Sequence, residues 1–136
     1  RDAKARGAVL EAPVGEDRRA QLEHLPALLN AEELAALQQQ VLAVHAAAPL
    51  LDYLQALIAA TRSGQWFVQG LSPRAGIALL RAAKAQALIE GRDYVAPYDV
   101  QAILAQTIPH RLHPVAISGR GATEQVRAMV QSVELP

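Results

Sequence analysis

The most informative absences in this 136-residue sequence are those of cysteine, net charge and long hydrophobic runs. Without cysteine, neither disulfides nor zinc or iron–sulfur sites built on thiolates can form. The 13 basic and 13 acidic side chains cancel, whereas nucleic-acid binders usually carry a basic excess. No apolar run approaches the ~20 residues that span a bilayer. We therefore expect no disulfide framework, no nucleic-acid partner and no membrane partner.

Motifs of several enzyme classes are also missing from the sequence. It has no GxxxxGK[ST] phosphate loop, no GxGxxG, no HExxH and no GxSxG. Of the four histidines, only His110 and His113 are close together, and no third ligand accompanies them. We expect no metal site and no self-sufficient active site.

The N-terminus reads Arg1-Asp2-Ala3-Lys4, without an initial methionine or an apolar stretch. A secretory signal peptide needs such a stretch, so we expect none here and a cytoplasmic location. The opening also predicts a piece of a longer protein.

Alanine and leucine dominate what is present, with 28 and 19 residues respectively. Both are strong helix formers, while β-prone aromatic residues make up only 4%. The length suits one compact domain, which typically has about 100–150 residues. The composition therefore predicts an all-α fold, a small helical bundle.

Hydrophobic spacing and capping signals divide this bundle into helices. We predict helices over 31–44, 49–61, 72–90, 97–106 and 123–133. The long third helix is expected to turn inward Ile77, Leu80, Ala83, Ala87 and Leu88. Two short β-prone segments, 66–68 and 94–95, are predicted to pair with each other.

Arg74 occupies an unusual place for a cation. Ser72-Pro73 is a strong helix start, so Arg74 falls in the first turn. The helix dipole opposes a cation there by roughly 0.3–1 kcal/mol, which makes sense if an anion binds at that end. Gly70 would let the chain approach such a ligand closely. The alternatives are an exposed arginine, or one paired with Asp52 or Asp93.

Four motifs follow one another in a familiar order. They are Thr61-Arg62, then GLSPRA from Gly70, then GRDYVAPYDV from Gly91, and finally His110-Arg111-Leu112. Together they resemble the C-terminal lid of MoxR-type AAA+ ATPases, whose pattern runs TR…GxSPRA…GRDYVTPxDV…HR. A single short motif would be weak evidence for this resemblance, but four motifs in the family's order are strong evidence for it.

The resemblance covers about residues 25–115 and implies a domain plan. An AAA+ lid would occupy 26–115. Residues 1–25 would form a partly helical connection from an AAA+ core that this chain lacks. Residues 116–136 would add a C-terminal loop and an amphipathic helix.

The resemblance also implies roles for single residues. Arg74 would be the sensor 2 arginine, the catalytic residue of this chain, which reaches the γ-phosphate of ATP. Gly70 and Ser72 would shape the nucleotide-binding turn, Gly70 by backbone freedom and Ser72 by capping. Arg62 would lie near the nucleotide or a neighbouring subunit, unless it only supplies a favourable charge at a helix C-terminus.

Other motif residues are expected to be structural. Tyr94, Val95, Pro97 and Asp99 would hold the turn between two helices. Ala96 stands where the family usually has threonine, so one N-cap is lost at about 1 kcal/mol.

The AAA+ core would hold ATP and Mg, because it carries the phosphate loop and the Walker B acid. We therefore expect this fragment alone not to hydrolyse ATP. As partners, the resemblance implies the core of the same protein, neighbouring subunits of a homo-hexameric ring and a client protein that is remodelled or activated.

Two other interpretations compete with the ATPase lid. One is a free-standing helical protein–protein interaction module without a nucleotide role. The other is a helical DNA-binding domain, which charge neutrality opposes.

Overall fold

The computed structural model describes residues 27–109, 111–115 and 121–135. In these ranges it contains five α-helices: α1 (Ala31–Ala43), α2 (Ala48–Arg62), α3 (Pro73–Ile89), α4 (Pro97–Thr107) and α5 (Ala122–Ser132). The predicted all-α fold is confirmed, and the five helices lie close to their predicted bounds. The described residues fall into two units along the chain, and the second unit begins at Ala35.

Helix α1 begins with a reciprocal cap. The Asn30 side chain accepts a hydrogen bond from the Glu33 N–H, and the Glu33 carboxylate accepts one from the Asn30 N–H, both at 2.8 Å. This is a capping box. No residue of α1 is buried, and Leu37 is 38% exposed. Burial begins just after the helix, at Val44.

The hydrophobic core lies among α2, α3, α4 and α5; α2 and α4 contact each other and both α3 and α5. Its largest fully buried apolar side chains are Phe67, Leu57, Leu104, Ile108, Met129, Val100 and Val126. Complete burial of one such side chain stabilises the fold by about 1.5–3 kcal/mol. No helix in the described ranges is both long and apolar enough to cross a bilayer.

Helix α5 is the amphipathic helix predicted within 116–136, and it packs against α2 and α4. Val126 and Met129 supply its apolar anchor. Gln125 is buried beside them, and its side-chain amide donates a hydrogen bond to the Trp66 carbonyl.

The inward face of α3 differs from the prediction. Leu79, Ala83 and Ala87 are buried as a stripe with four-residue spacing, whereas Ile77 is 58% exposed. The prediction of an inward Ile77 is therefore wrong. The reason is a close contact with α2: a Cβ added to Gly76 would collide with the Ile58 side chain. This approach of the two helices turns the face of Gly76, not that of Ile77, toward the core.

The predicted pairing of 66–68 with 94–95 is also wrong. Two isolated bridges take its place, Phe67 with Pro114 and Tyr94 with His45. Each β-prone segment thus bridges to a different loop and not to the other segment. Hydrophobic pattern alone does not distinguish these partners, because an isolated bridge needs only one N–H and one carbonyl from each side.

Helix α4 starts with half of a capping box. The Asp99 carboxylate accepts a hydrogen bond from the Ala96 N–H at 2.8 Å. Ala96, at the N-cap, has no side-chain oxygen to return a bond to the first turn. The loss of one cap at this position is confirmed.

We predict that Ala96→Thr raises the free energy of unfolding by about 1 kcal/mol, because the new hydroxyl completes the cap. Thermal or denaturant unfolding of the 136-residue chain measures the change. Ala96→Val is the matched control, since it adds a β-branched side chain without an acceptor. Equal effects of threonine and valine would contradict the capping explanation.

Candidate functional site

The candidate site lies at the corner where α2 ends and α3 begins. Both backbone polar groups of Leu71 are held there by consecutive residues of α2. The Leu71 N–H donates to the Thr61 hydroxyl at 3.0 Å, and the Leu71 carbonyl accepts from the Arg62 Nε at 2.6 Å. Thr61 is fully buried, and its hydroxyl donates to the Ile58 carbonyl at 2.6 Å. We call these three hydrogen bonds the Leu71 clamp.

Gly70 is required at this corner for space. A Cβ at this position would lie 2.7 Å from the Arg62 Cα and 2.9 Å from its backbone nitrogen. The expected reason, backbone freedom, is not the one that the structure gives, because the φ of Gly70 is outside the left-handed region. The turn therefore packs directly on the last turn of α2.

Ser72 begins α3 as the N-cap. Its backbone is extended, with φ −74° and ψ 158°, and its hydroxyl accepts a hydrogen bond from the Ala75 N–H at 3.3 Å. Pro73 follows at the first helical position, where no N–H is needed. The predicted capping by Ser72 is confirmed, and Arg74 lies in the first turn.

The Arg74 side chain is exposed and has no hydrogen bond or ion pair with any described residue. In particular, neither Asp52 nor Asp93, both in the described ranges, pairs with it. The guanidinium therefore points to no internal partner in this part of the chain.

A mainly apolar groove of about 620 Å³ adjoins this corner, between α2 and α3. Its lining includes Leu54, Ile58, Arg62, Pro73, Ile77 and Leu80. The exposed Ile77 thus contributes to a groove instead of to the core. Sequence periodicity does not predict this role, since a core face and a groove face have the same spacing.

A second groove, of about 430 Å³, lies between α3 and α4. Arg111 lines it together with Leu71, Ala75 and residues further along α3 as far as Ala82. The motif contained Arg111, but sequence reasoning gave it no role. Its neighbour in the motif, His110, lies outside the described residues.

The turn at the other end of α3 is held by a buried ion pair. The Asp99 carboxylate is fully buried and accepts two hydrogen bonds from the Arg92 guanidinium, at 2.7 and 2.8 Å. Arg92 also pairs with Glu90 at 2.7 Å and stacks over the Tyr98 ring at 4.8 Å. The predicted structural role of Asp99 is therefore confirmed, whereas sequence reasoning gave Arg92 no role in this turn.

The network shifts the titration of its carboxylate. Burial by itself would raise the pKa of Asp99, but the hydrogen bonds from Arg92 and the Ala96 N–H outweigh it and hold this pKa below its ordinary value. The hydrogen bonds of Arg92 to Asp99 and to Glu90 raise the pKa of the Arg92 guanidinium. Asp99 is therefore ionised in the folded protein at every pH at which it is ionised in the unfolded chain.

Comparison with known proteins identifies the domain. A family model described as the AAA lid domain matches residues 59–132, more than half of the chain. The chain belongs to the AAA lid domain family.

Relatives connect this lid with MoxR-family AAA+ ATPases. It is 37% identical over 118 residues to YeaC, an uncharacterized protein of Bacillus subtilis, with 85% of this chain and 37% of YeaC covered. It is 38% identical over 72 residues to the chaperone MoxR1 of Mycobacterium tuberculosis, covering 46% of this chain and 19% of MoxR1. The lid is thus that of a MoxR-family AAA+ ATPase, and it spans about a third or less of these relatives' lengths.

A solved structure supports the fold of the lid. The crystal structure of a proposed ATPase from Cytophaga hutchinsonii superposes with a TM-score of 0.64 at 20% identity, covering 91% of this chain and 52% of that one. At this identity the likeness concerns the fold alone.

The structure brings the predicted site residues of the lid to one corner. Arg62 and Gly70 are in contact, and Ser72 and Arg74 follow directly. Their contact with a nucleotide stays a prediction. Among the described residues no group of three His, Asp or Glu could hold a metal ion. Sequence reasoning missed the part played by Thr61. This residue continues the apolar stripe of Leu50, Leu54 and Leu57 on the buried face of α2, and a hydroxyl inside such a stripe signals a need for a partner.

We predict that Asp99→Asn lowers the free energy of unfolding of the lid at pH 7 by about 1.5–3 kcal/mol, because charge-assisted bonds to a buried group are lost. Since the folded pKa of Asp99 is lowered, its contribution is present above the unfolded pKa of about 3.9 and disappears as the pH falls through the folded pKa.

Denaturant unfolding of both proteins between pH 7 and pH 2 checks this prediction. The difference between wild type and variant should shrink as the solution becomes acidic. Asp93→Asn is the matched control, because Asp93 is an exposed aspartate in the same turn. A difference that is constant with pH would contradict the assigned role of the carboxylate.

Proposed function

We propose that this lid supplies the sensor 2 arginine, Arg74, to the phosphates of ATP bound by the AAA+ core of the same protein. The observation that carries the proposal is the environment of the Arg74 side chain. Its side chain has no partner among the described residues, although it lies at a helix N-terminus where the dipole disfavours a cation. An anion at that end would reverse the sign of the interaction.

The surrounding residues support such a role. The Leu71 clamp holds the turn before Arg74 on α2, and the Ser72 cap sets the direction of α3. Arg74 would place its charge where phosphoryl oxygens gain negative charge during hydrolysis. Arg62 is a second candidate for the nucleotide, since only its Nε is committed to Leu71. Gly70 and Ser72 would contribute as the turn that brings both arginines to the ligand.

The activity of the full-length protein is part of the same proposal. The core would bind ATP and Mg, and this chain alone would not hydrolyse ATP because its sequence contains no phosphate loop. One relative is named a chaperone. We propose that the full-length protein likewise acts as a chaperone, as a homo-hexameric ring that couples ATP hydrolysis to the remodelling or activation of a client protein.

A protein–protein interaction module without a nucleotide role is the alternative. The groove between α2 and α3 favours it, because the groove is apolar and Ile77 is exposed there. The two functions differ in their dependence on Arg74, which does not line that groove.

We predict that Arg74→Ala in the full-length ATPase lowers kcat for ATP hydrolysis by about 10²–10³-fold, the cost of removing one preorganised donor. Arg81→Ala is the matched control. Arg81 is also exposed and lies two turns further along α3, on the same helix face. Steady-state ATP turnover measures both variants, and unchanged turnover in Arg74→Ala would favour the interaction module.

A further inference from the structure

We propose that Thr61 is the positioning residue for Arg74. Its hydroxyl, together with the Nε of Arg62, fixes the start of α3 on the end of α2 and thereby sets where the Arg74 guanidinium is presented. The inference rests on the proposed sensor 2 function. It assigns to a buried threonine a task that neither its burial nor its place in the apolar stripe requires.

The hydroxyl of Thr61 is used in both directions. It donates to the Ile58 carbonyl of its own helix and accepts from the Leu71 N–H of the next segment. Packing alone would be served equally well by valine, which has the same shape. Threonine is needed because the buried Leu71 N–H must find an acceptor at this point.

The two helices approach each other closely on both sides of Arg74. Before Arg74, Gly70 lies against the backbone of Arg62 with no room for a Cβ. After Arg74, Gly76 lies against the end of the Ile58 side chain, which can move more easily than backbone. The contact of Gly70 with the Arg62 backbone is therefore the one that restricts a shift of the first turn of α3 along α2.

Little freedom remains between the Leu71 clamp and Arg74. Only Ser72 and Pro73 intervene, and Ser72 is fixed by its cap bond to the Ala75 N–H. Pro73 has a φ locked near −65° by its ring. The Leu71 clamp therefore determines the position of the Arg74 Cα, from which the Arg74 side chain extends.

Loss of the hydroxyl should act on catalysis more than on binding. Displacement of a catalytic group by about 1 Å can cost 10²-fold in rate. Under the proposed function, affinity for ATP would come mainly from groups of the core, outside this corner. Without the Thr61 hydroxyl, Arg74 would keep its charge but lose its alignment with the reacting phosphate.

The experiment compares Thr61→Val with Thr61→Ser in the full-length ATPase. We expect Thr61→Val to lower kcat by about tenfold or more with little change in KM for ATP, and Thr61→Ser to recover most of the loss. The control is Thr107→Val at the end of α4. Thr107 is exposed and donates to the Ile103 carbonyl at 2.7 Å, so its removal deletes only a bond within a helix.

A double-mutant cycle separates positioning from stability. If Thr61 acts through Arg74, adding Thr61→Val to Arg74→Ala should lower kcat no further. Additive losses, or wild-type kcat in Thr61→Val, would overturn the inference. If Arg74→Ala itself leaves kcat unchanged, the proposed function fails, whatever Thr61 does.

Arg62→Lys provides a second variant should Thr61→Val fail to fold. It keeps the charge of an exposed side chain but removes the Nε donor to the Leu71 carbonyl. A lowered kcat that is again non-additive with Arg74→Ala is expected. A kcat equal to that of the wild type, or a loss additive with Arg74→Ala, would contradict the role of the Leu71 clamp.

Discussion

The close approach of α2 and α3 is the constraint on which the rest of this lid depends. Gly70 and Gly76 allow it, because each meets atoms of α2 where a Cβ would collide. Once the helices are this close, Leu79, Ala83 and Ala87 face the core and Ile77 is turned to the groove. The same approach brings the Leu71 backbone within hydrogen-bonding distance of Thr61 and Arg62. The close approach of α2 and α3 therefore determines both the packing of the core and the geometry of the candidate site.

The two ends of α3 are held by different chemistry. At its start, the backbone of Leu71 donates a hydrogen bond to the neutral Thr61 side chain and accepts one from the charged Arg62 side chain. At its end, the chain turns through Gly91 with a positive φ of 75°, a conformation that glycine adopts without strain. The Arg92–Asp99 pair then connects this turn to α4. The two arginines thus have different roles. Arg92 forms structural ion pairs, whereas Arg74 has no partner among the described residues.

Much of the fold and part of the site could be predicted from the sequence. Local signals such as Asn30 with Glu33, or Ser72 with Pro73, determine helix starts because the groups that cap a helix are within a few residues. The first-turn position of Arg74 follows from the same signals. The pairing of the extended segments and the inward face of α3 could not be predicted, since both depend on contacts between residues distant in sequence. Thr61 belongs to this second class, because its partner lies ten residues away across a turn.

The attachment of α3 at its far end also matters for the end that carries Arg74. The helix contains 17 residues, so it is about 25 Å long. A rotation of about 5° about its C-terminal end would displace its N-terminal end by about 2 Å. That distance exceeds the misplacement of about 1 Å that can cost a catalytic group 10²-fold in rate. The Arg92–Asp99 pair and the Leu71 clamp therefore restrict the same motion from opposite ends of the helix.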